Sequence, residues 1–222
     1  NYTVHPATYD TNPIRALAEQ HRFVALENNT FKDLNSDGSL DLSERLSRTK
    51  TIYDWDGDIL EPILVQTAKN IEALQDRIEF KDYDGDGNIL QVSKTDGMDI
   101  TYIYGYDNTL PVAKIENATY SQVQSHVANI QNKSDLDDDR CMDSGSCDEK
   151  NLRTALNALR SALANAMVTT YTYDPLIGIT SMTDPKGYTI YYEYDDLNRL
   201  VRVKDEDGNI MSENKYHYLL DN

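Results

Sequence analysis

A tyrosine–aspartate pattern that returns every 21 residues constrains this chain more than any other feature. Tyr171-Thr172-Tyr173-Asp174 is matched by Tyr192-Glu193-Tyr194-Asp195. Ile179 maps onto Leu200, Asp184 onto Asp205 and Gly187 onto Gly208, each 21 residues on. Tyr83-Asp84 followed by Gly87-Asn88-Ile89 has the same form, and Tyr104 lies 21 residues beyond Tyr83. A looser copy begins at Tyr53-Asp54, with Gly57 and Ile59. Within the pattern, residues 188–194 and 199–204 are rich in Tyr, Val, Ile and Thr, which suit a pleated, half-buried surface. Asp195, Asp196 and Asn198 lie between these runs and residues 205–209 follow, all of turn-forming type. Such a period is one hairpin, two strands of roughly seven residues plus two turns. A hairpin cannot bury its own apolar face, so these units must stack on neighbours. The expected fold is mainly β, built of stacked antiparallel hairpins.

The order Tyr-x-Tyr-Asp-x-x-Asn-Arg-Leu, then a strand, then Asp-x-Asp-Gly-Asn resembles the tyrosine-aspartate (YD) repeat of the RHS family. The resemblance runs from about Phe80 to Tyr218 and is to RHS-repeat proteins of Bacteroidetes-type bacteria. It implies a secreted or cell-surface protein whose repeats form a long, spirally wound sheet, closed in some members into a shell around a toxic cargo. The partners it implies are neighbouring repeats of a larger parent chain, together with other surface proteins or glycans. The absence of an initiator Met fits a C-terminal portion of such a parent. Asp184-Pro185-Lys186-Gly187 is similar to the self-cleavage motif that ends the RHS core, but it falls in register with an ordinary repeat, so no protease role is expected.

Composition narrows the function classes. A net charge of −17 argues against nucleic acid, whose phosphates require Lys and Arg, and against an anionic membrane surface. It favours divalent cations or simple solubility. No apolar run approaches the roughly 20 residues of a membrane helix, so no membrane insertion is expected. Sixteen Tyr against three Phe suit broad sheets that are only partly dry, since each ring keeps a hydroxyl for a polar partner.

Along the chain, residues 1–12 read as polar and irregular. Asn12-Pro13 caps a short helix to about Arg22. Strands are expected at 23–31, 45–53, from Pro62, and at 71–81. From Ala118 the period changes. Tyr120, Val123, His126, Val127 and Ile130 recur at helical spacing, as do Leu152, Ala155, Leu156, Leu159, Leu163 and Ala166. This reads as a helical hairpin inserted between repeats and laid over the sheet. The organisation is therefore a β segment over 1–79, repeats over 80–117, the helical insertion over 118–168, and repeats with a tail over 169–222.

The sharpest local motif is residues 33–44. Asp33, Asn35, Asp37, Ser39, Asp41 and Glu44 occupy positions 1, 3, 5, 7, 9 and 12, with Gly38 at 6. This is the EF-hand calcium-loop spacing: alternate side chains converge on one centre, Ser39 offers its carbonyl and Glu44 can bind through both oxygens. One Ca²⁺ is expected here, at a hairpin tip or with one short helix at 42–46. The alternative is an Asx-rich turn that needs no metal. Asp82, Asp84 and Asp86 copy the start of this motif, but Ser93 stands where the closing Glu belongs. Asp205 and Asp207 are weaker copies, and Asp54, Asp56 and Asp58 lack both the Gly and the Glu.

The Asp-rich stretch from Asp135 through Asp137, Asp138, Asp139 and Asp143 to Asp148 reads as a solvated acidic tip. Cys141 and Cys147 suit a local disulfide in an exported protein. His5, His21, His126 and His217 are scattered, and no Gly-x-Ser-x-Gly elbow, His-Glu-x-x-His or phosphate loop is present, so no enzyme is expected. The leading reading is a calcium-stabilised structural part of an exported repeat protein. A surface adhesin or glycan-binding module is the first alternative, with Trp55, the only Trp, as its hint. A calcium-dependent docking module is the second, weakened because it should carry two complete loops.

Overall fold

The computed structural model describes residues 12–57, 59–141 and 147–217. The irregular stretch expected over 1–12 therefore lies almost wholly outside the described residues, as do Asp58, Asp143 and Tyr218. The chain divides into two compact units, Asn1–Asp99 and Ile100–Asn222.

In the first unit, Asn12 caps helix α1 (Pro13–Glu19), its Oδ1 accepting Ile14 N at 3.0 Å, with Pro at the first turn. Strands β1 (Glu27–Phe31), β2 (Arg45–Asp56), β3 (Ile59–Lys69), β4 (Gln75–Tyr83) and β5 (Ile89–Lys94) then pair antiparallel, each with the next in sequence. Their apolar support is small. Ala16, Leu17 and Leu60 are buried, with Val24, Leu26, Tyr53 and Trp55 packed against them. Trp55 thus belongs to this cluster rather than standing out in solvent as an adhesin's binding residue would.

The second unit holds β6 (Asp99–Gly105), β7 (Leu110–Glu116), β8 (Met167–Asp174), β9 (Gly178–Thr183), β10 (Thr189–Tyr194), β11 (Leu200–Asp205) and β12 (Ile210–Glu213). These also form an antiparallel meander in sequence order. Between β7 and β8 come helices α2 (Tyr120–Ser134) and α3 (Asp148–Ala162). They are the helical hairpin expected from the periodicity. Val123, Val127 and Ile130 of α2 and Leu152, Leu156 and Leu159 of α3 bury Ile103, Val112, Ile115 and Val168 of the strands. The fold is mainly β, as the repeat required.

The 21-residue period has a physical meaning in both units. Each repeat tyrosine sits at a bulge just before a turn: the register shifts at Tyr53, Tyr83, Tyr104, Tyr173 and Tyr194. A bulge leaves the ladder locally disrupted, and at four of these five a later tyrosine covers it. The Tyr83 hydroxyl donates to Pro62 O, opposite Tyr53, at 2.6 Å. The Tyr173 hydroxyl donates to Pro111 O, opposite Tyr104, at 2.9 Å. Tyr194 donates to Ile179 O, opposite Tyr173, at 3.0 Å, and Tyr216 to Leu200 O, opposite Tyr194, at 2.9 Å. The Tyr194 contact needs Gly178: a Cβ there would lie 2.5 Å from the tyrosine hydroxyl. Ring contacts run along single strands, Tyr171 with Tyr173 and Tyr102 with Tyr104, both at 6.4 Å, and edge-on between Tyr106 and Tyr173 at 5.6 Å.

The aspartates make one turn four times over. Asp84, Asp184, Asp195 and Asp205 each accept, on one carboxylate oxygen, the N–H groups two and four residues ahead, at 2.8–3.0 Å. The residue three ahead is left-handed: Gly87, Gly187, Asn198 and Gly208. Glycine, and asparagine next, take that conformation with least strain.

Candidate functional site

The loop over residues 33–44 joins β1 to β2 and ends in a 3₁₀ turn, Leu42–Glu44. Its polar groups fold onto their own backbone, as alternate Asx and Ser side chains do. The Asp33 carboxylate accepts Ser36 N at 2.6 Å and Gly38 N at 3.1 Å. Asn35 Oδ1 accepts Asp37 N at 3.0 Å, and Asp37 Oδ1 accepts Ser39 N at 2.8 Å and Ser39 Oγ at 2.6 Å. Asp41 accepts Ser43 N at 2.7 Å, forming a capping box with Glu44. Glu44 is buried under the loop. Its Oε1 accepts Leu34 N at 2.8 Å and its Oε2 accepts Asp41 N at 3.3 Å. The bonds from Ser39 hold the Asp37 carboxyl below the usual carboxylate range, and those from Ser43 do the same for Asp41.

All six residues singled out by spacing are thus brought into one loop at a hairpin tip. Among the described residues, the three ligand groups whose atoms all lie within 4.8 Å of one another are elsewhere, at Asp139, Cys141 and Cys147. No three carboxylates of the 33–44 loop bring oxygens within 4.8 Å of one another. Binding a cation at 2.3–2.6 Å would require the loop to contract and the Asn35 amide, which now donates to Asp37 Oδ2 at 3.0 Å, to turn away.

The weaker acidic motifs serve the turns. One Asp84 oxygen takes two backbone N–H groups and the other takes Asn88 Nδ2 at 2.9 Å. Ser93 pairs with Glu79 in mid-strand, away from that turn. Asp205 repeats the arrangement with Asn209. Asp54 accepts Trp55 N.

The acidic stretch between α2 and α3 is not simply a solvated tip. Asp135 and Asp138 face solvent, but Asp137 is 5% exposed and Glu149, just after the stretch, 1%. The Tyr106 hydroxyl donates to Asp137 Oδ2 at 2.6 Å and itself accepts Tyr173 N at 2.8 Å. Asp137 Oδ1 is buried with no hydrogen-bond partner among the described residues. Burial pushes the Asp137 carboxyl up to about 7, and the same effect drives the Tyr106 phenol far above its ordinary range. Glu149 forms a buried ion pair with Arg153 and also accepts Thr172 Oγ1 at 2.9 Å, Thr180 Oγ1 at 3.2 Å and Cys141 N at 3.0 Å. Asp139 accepts Asp148 N and Glu149 N at the start of α3. In sequence these acidic residues look like a charge run because their partners stand far away: Tyr106 is 31 residues from Asp137, and Thr172 is 23 from Glu149. The one local signal was Asp148-Glu149 at the first turn of a strong helical stripe.

A disulfide joins Cys141 to Cys147, with Cα atoms 6.6 Å apart. Beside it opens a cavity of about 350 Å³ lined in part by Arg140, Glu149, Tyr191, Tyr194 and Arg202. Arg140 pairs with Asp174 and lies 5.9 Å from the centre of the Tyr194 ring.

Comparison with known proteins adds one assignment. The RHS Repeat family model matches residues 178–210, which span β9, the Asp184 turn, β10, the Asp195 turn, β11 and the Asp205 turn. No curated protein matches the chain. Among solved structures, the Photorhabdus luminescens Tc holotoxin pore, in a point-mutant form, is similar at a TM-score of 0.38 and 10% identity. The match covers 78% of this chain and 8% of that one.

Proposed function

On the premise that this chain carries an RHS repeat and is an RHS-repeat protein, we propose that its role is structural. It is a stretch of hairpin wall in a larger exported or surface-displayed protein, and its partners are the neighbouring repeats of that parent chain. The observation that carries this reading is the tyrosine clasp, in which a tyrosine hydroxyl is handed to the bulge of a preceding hairpin at four places. That device propagates a sheet and makes no reaction centre. Among the described residues no helix is long and apolar enough to cross a membrane.

The 33–44 loop adds a calcium clip to this wall. Asp33, Asn35, Asp37, Asp41 and Glu44 supply side-chain oxygens and Ser39 its carbonyl, and the ion ties β1 to β2 rather than acting on a substrate. The support is the complete ligand spacing together with a buried Glu44 already held beneath the loop. Calorimetry on the protein should detect one Ca²⁺, Glu44→Gln should weaken binding at least about tenfold, and EGTA should expose residues 30–46 to protease. Absence of calcium heat together with unchanged cleavage near Asn35 would reduce the loop to an acidic turn.

A second reading, a glycan-binding surface module, is favoured by one observation. The cavity beside the disulfide combines tyrosine rings with arginine and carboxylate groups, the mix of apolar faces and placed polar groups found in ligand sites. Binding on a glycan array that is lost in Arg202→Ala would support it over the purely structural role.

A further inference from the structure

A carboxylate oxygen of Asp139 and the sulfurs of Cys141 and Cys147 lie within 4.8 Å of one another. While the sulfurs are bonded to each other they offer nothing to a metal. Helix α3 holds all three residues in place by other means. Asp139 is fixed by Asp148 N at 3.0 Å and Glu149 N at 3.2 Å. Cys141 is fixed by its N–H to Glu149 Oε2 at 3.0 Å and by its carbonyl, which accepts Arg153 Nη2 at 2.7 Å. Cys147 is the N-cap of α3, its sulfur accepting Lys150 N at 3.4 Å. Breaking the sulfur–sulfur bond therefore leaves two thiols and a carboxylate still gathered at one point.

We propose that the reduced form of this cluster is a zinc site, with Cys141 Sγ, Cys147 Sγ and an Asp139 oxygen as ligands and water as the fourth. Two thiolates and a carboxylate this close repel one another, and a divalent cation between them removes the repulsion. Thiolate sulfur selects zinc over calcium or magnesium. Tetrahedral zinc with Zn–S of about 2.3 Å needs the sulfurs roughly 3.8 Å apart, a separation that rotation about the Cα–Cβ bonds can reach from Cα atoms 6.6 Å apart. The Lys150 N–H, and the Arg153 guanidinium 3.9 Å from Cys141 Sγ, are placed to donate to the bound thiolates. The balance is simple. A dithiol reductant gives two electrons and two protons and closes to its own disulfide, the two cysteine thiols form, and zinc displaces two protons. Oxidation reverses this and expels the ion. A newly made chain in a reducing compartment would hold the metal form, and an exported chain the disulfide.

The test compares one protein in two states. Reduced with a phosphine and desalted without oxygen, it is titrated with Co²⁺, followed by thiolate-to-cobalt charge-transfer absorption, and then with Zn²⁺ in competition; the oxidised protein is treated identically. Expected are one ion per reduced chain with the thiolate band, and no band in the oxidised chain, where binding at residues 33–44 serves as the background. Cys147→Ser should abolish the band, Asp139→Asn should weaken binding at least about tenfold, and Asp138→Asn, at an exposed neighbour, should change nothing. Circular dichroism before and after reduction checks that the fold persists. The site is overturned if reduced and oxidised chains bind alike, if Asp139→Asn is silent, or if reduction unfolds the protein.

Discussion

The two units use the same tyrosine and aspartate devices and differ in what covers them. In the first unit the buried apolar cluster is Ala16, Leu17 and Leu60. In the second, two helices seal β6 to β8 into a core that takes in Ile103, Val112, Ile115 and Val168 as well as the helical stripe. The contrast recurs inside the second unit. β8, facing α3, alternates buried and half-buried residues, while β12 is exposed along its whole length. Repeating hairpins supply regular geometry and a half-dry surface; a core appears where a layer of another kind is laid on them. The inserted hairpin supplies that layer within one unit.

This comparison can be broken by mutation, and the largest effect is expected in the covered region. Leu156→Ala removes a side chain that is 1% exposed between α3 and the strands. It should destabilise the second unit by about 3 kcal/mol, seen as faster hydrogen exchange across α2, α3 and β6–β8. Exchange in β2–β4 should stay as it was; a matching loss there would mean the units do not unfold separately.

The second test concerns pH. Burial pushes the Asp137 carboxyl up to about 7 in the folded chain, against 3.8 when free. Between those values the folded state binds a proton that the unfolded state lacks. Stability of the second unit should therefore be fullest below about pH 4 and fall as pH rises toward 7. The span is on the order of 4 kcal/mol before local relaxation. Asp137→Asn should flatten this slope and raise the melting temperature at pH 7. A wild-type stability that rises from pH 4 to 7, after allowing for the other carboxylates through the mutant, would contradict it.

The smallest effects should be the same in both units, because the clasp is the same. Tyr83→Phe and Tyr194→Phe each remove one hydroxyl-to-carbonyl bond, at Pro62 and Ile179. Each should lower stability by about 1 kcal/mol in denaturant melts. A loss confined to Tyr194→Phe would show that the clasp matters only next to the helical cover.

Much of this was written locally. The 21-residue spacing prescribed hairpins because strand alternation, an Asp able to accept two N–H groups and a left-handed Gly or Asn all act within five to ten residues. The helical stripes from Val123 and Leu152, the Asn12 cap, and the loop of Asp33 to Glu44 at a hairpin tip are equally short-range. The sequence period also located the repeat tyrosines, but not what their hydroxyls do. The clasp onto Pro62 or Pro111 depends on which strand lies beside which.

The acidic stretch after α2 marks the other limit. From the sequence, Asp135, Asp137, Asp138 and Asp139 are four similar carboxylates. Tertiary structure alone decided that Asp137 meets Tyr106, that Asp139 caps α3 beside a disulfide, and that Glu149 lies under Arg153 among Thr172 and Thr180. Local rules act through backbone hydrogen bonds between near neighbours and are legible residue by residue. Desolvation, and with it the ionisation of a buried carboxyl, is set by every group that folding brings from elsewhere in the chain.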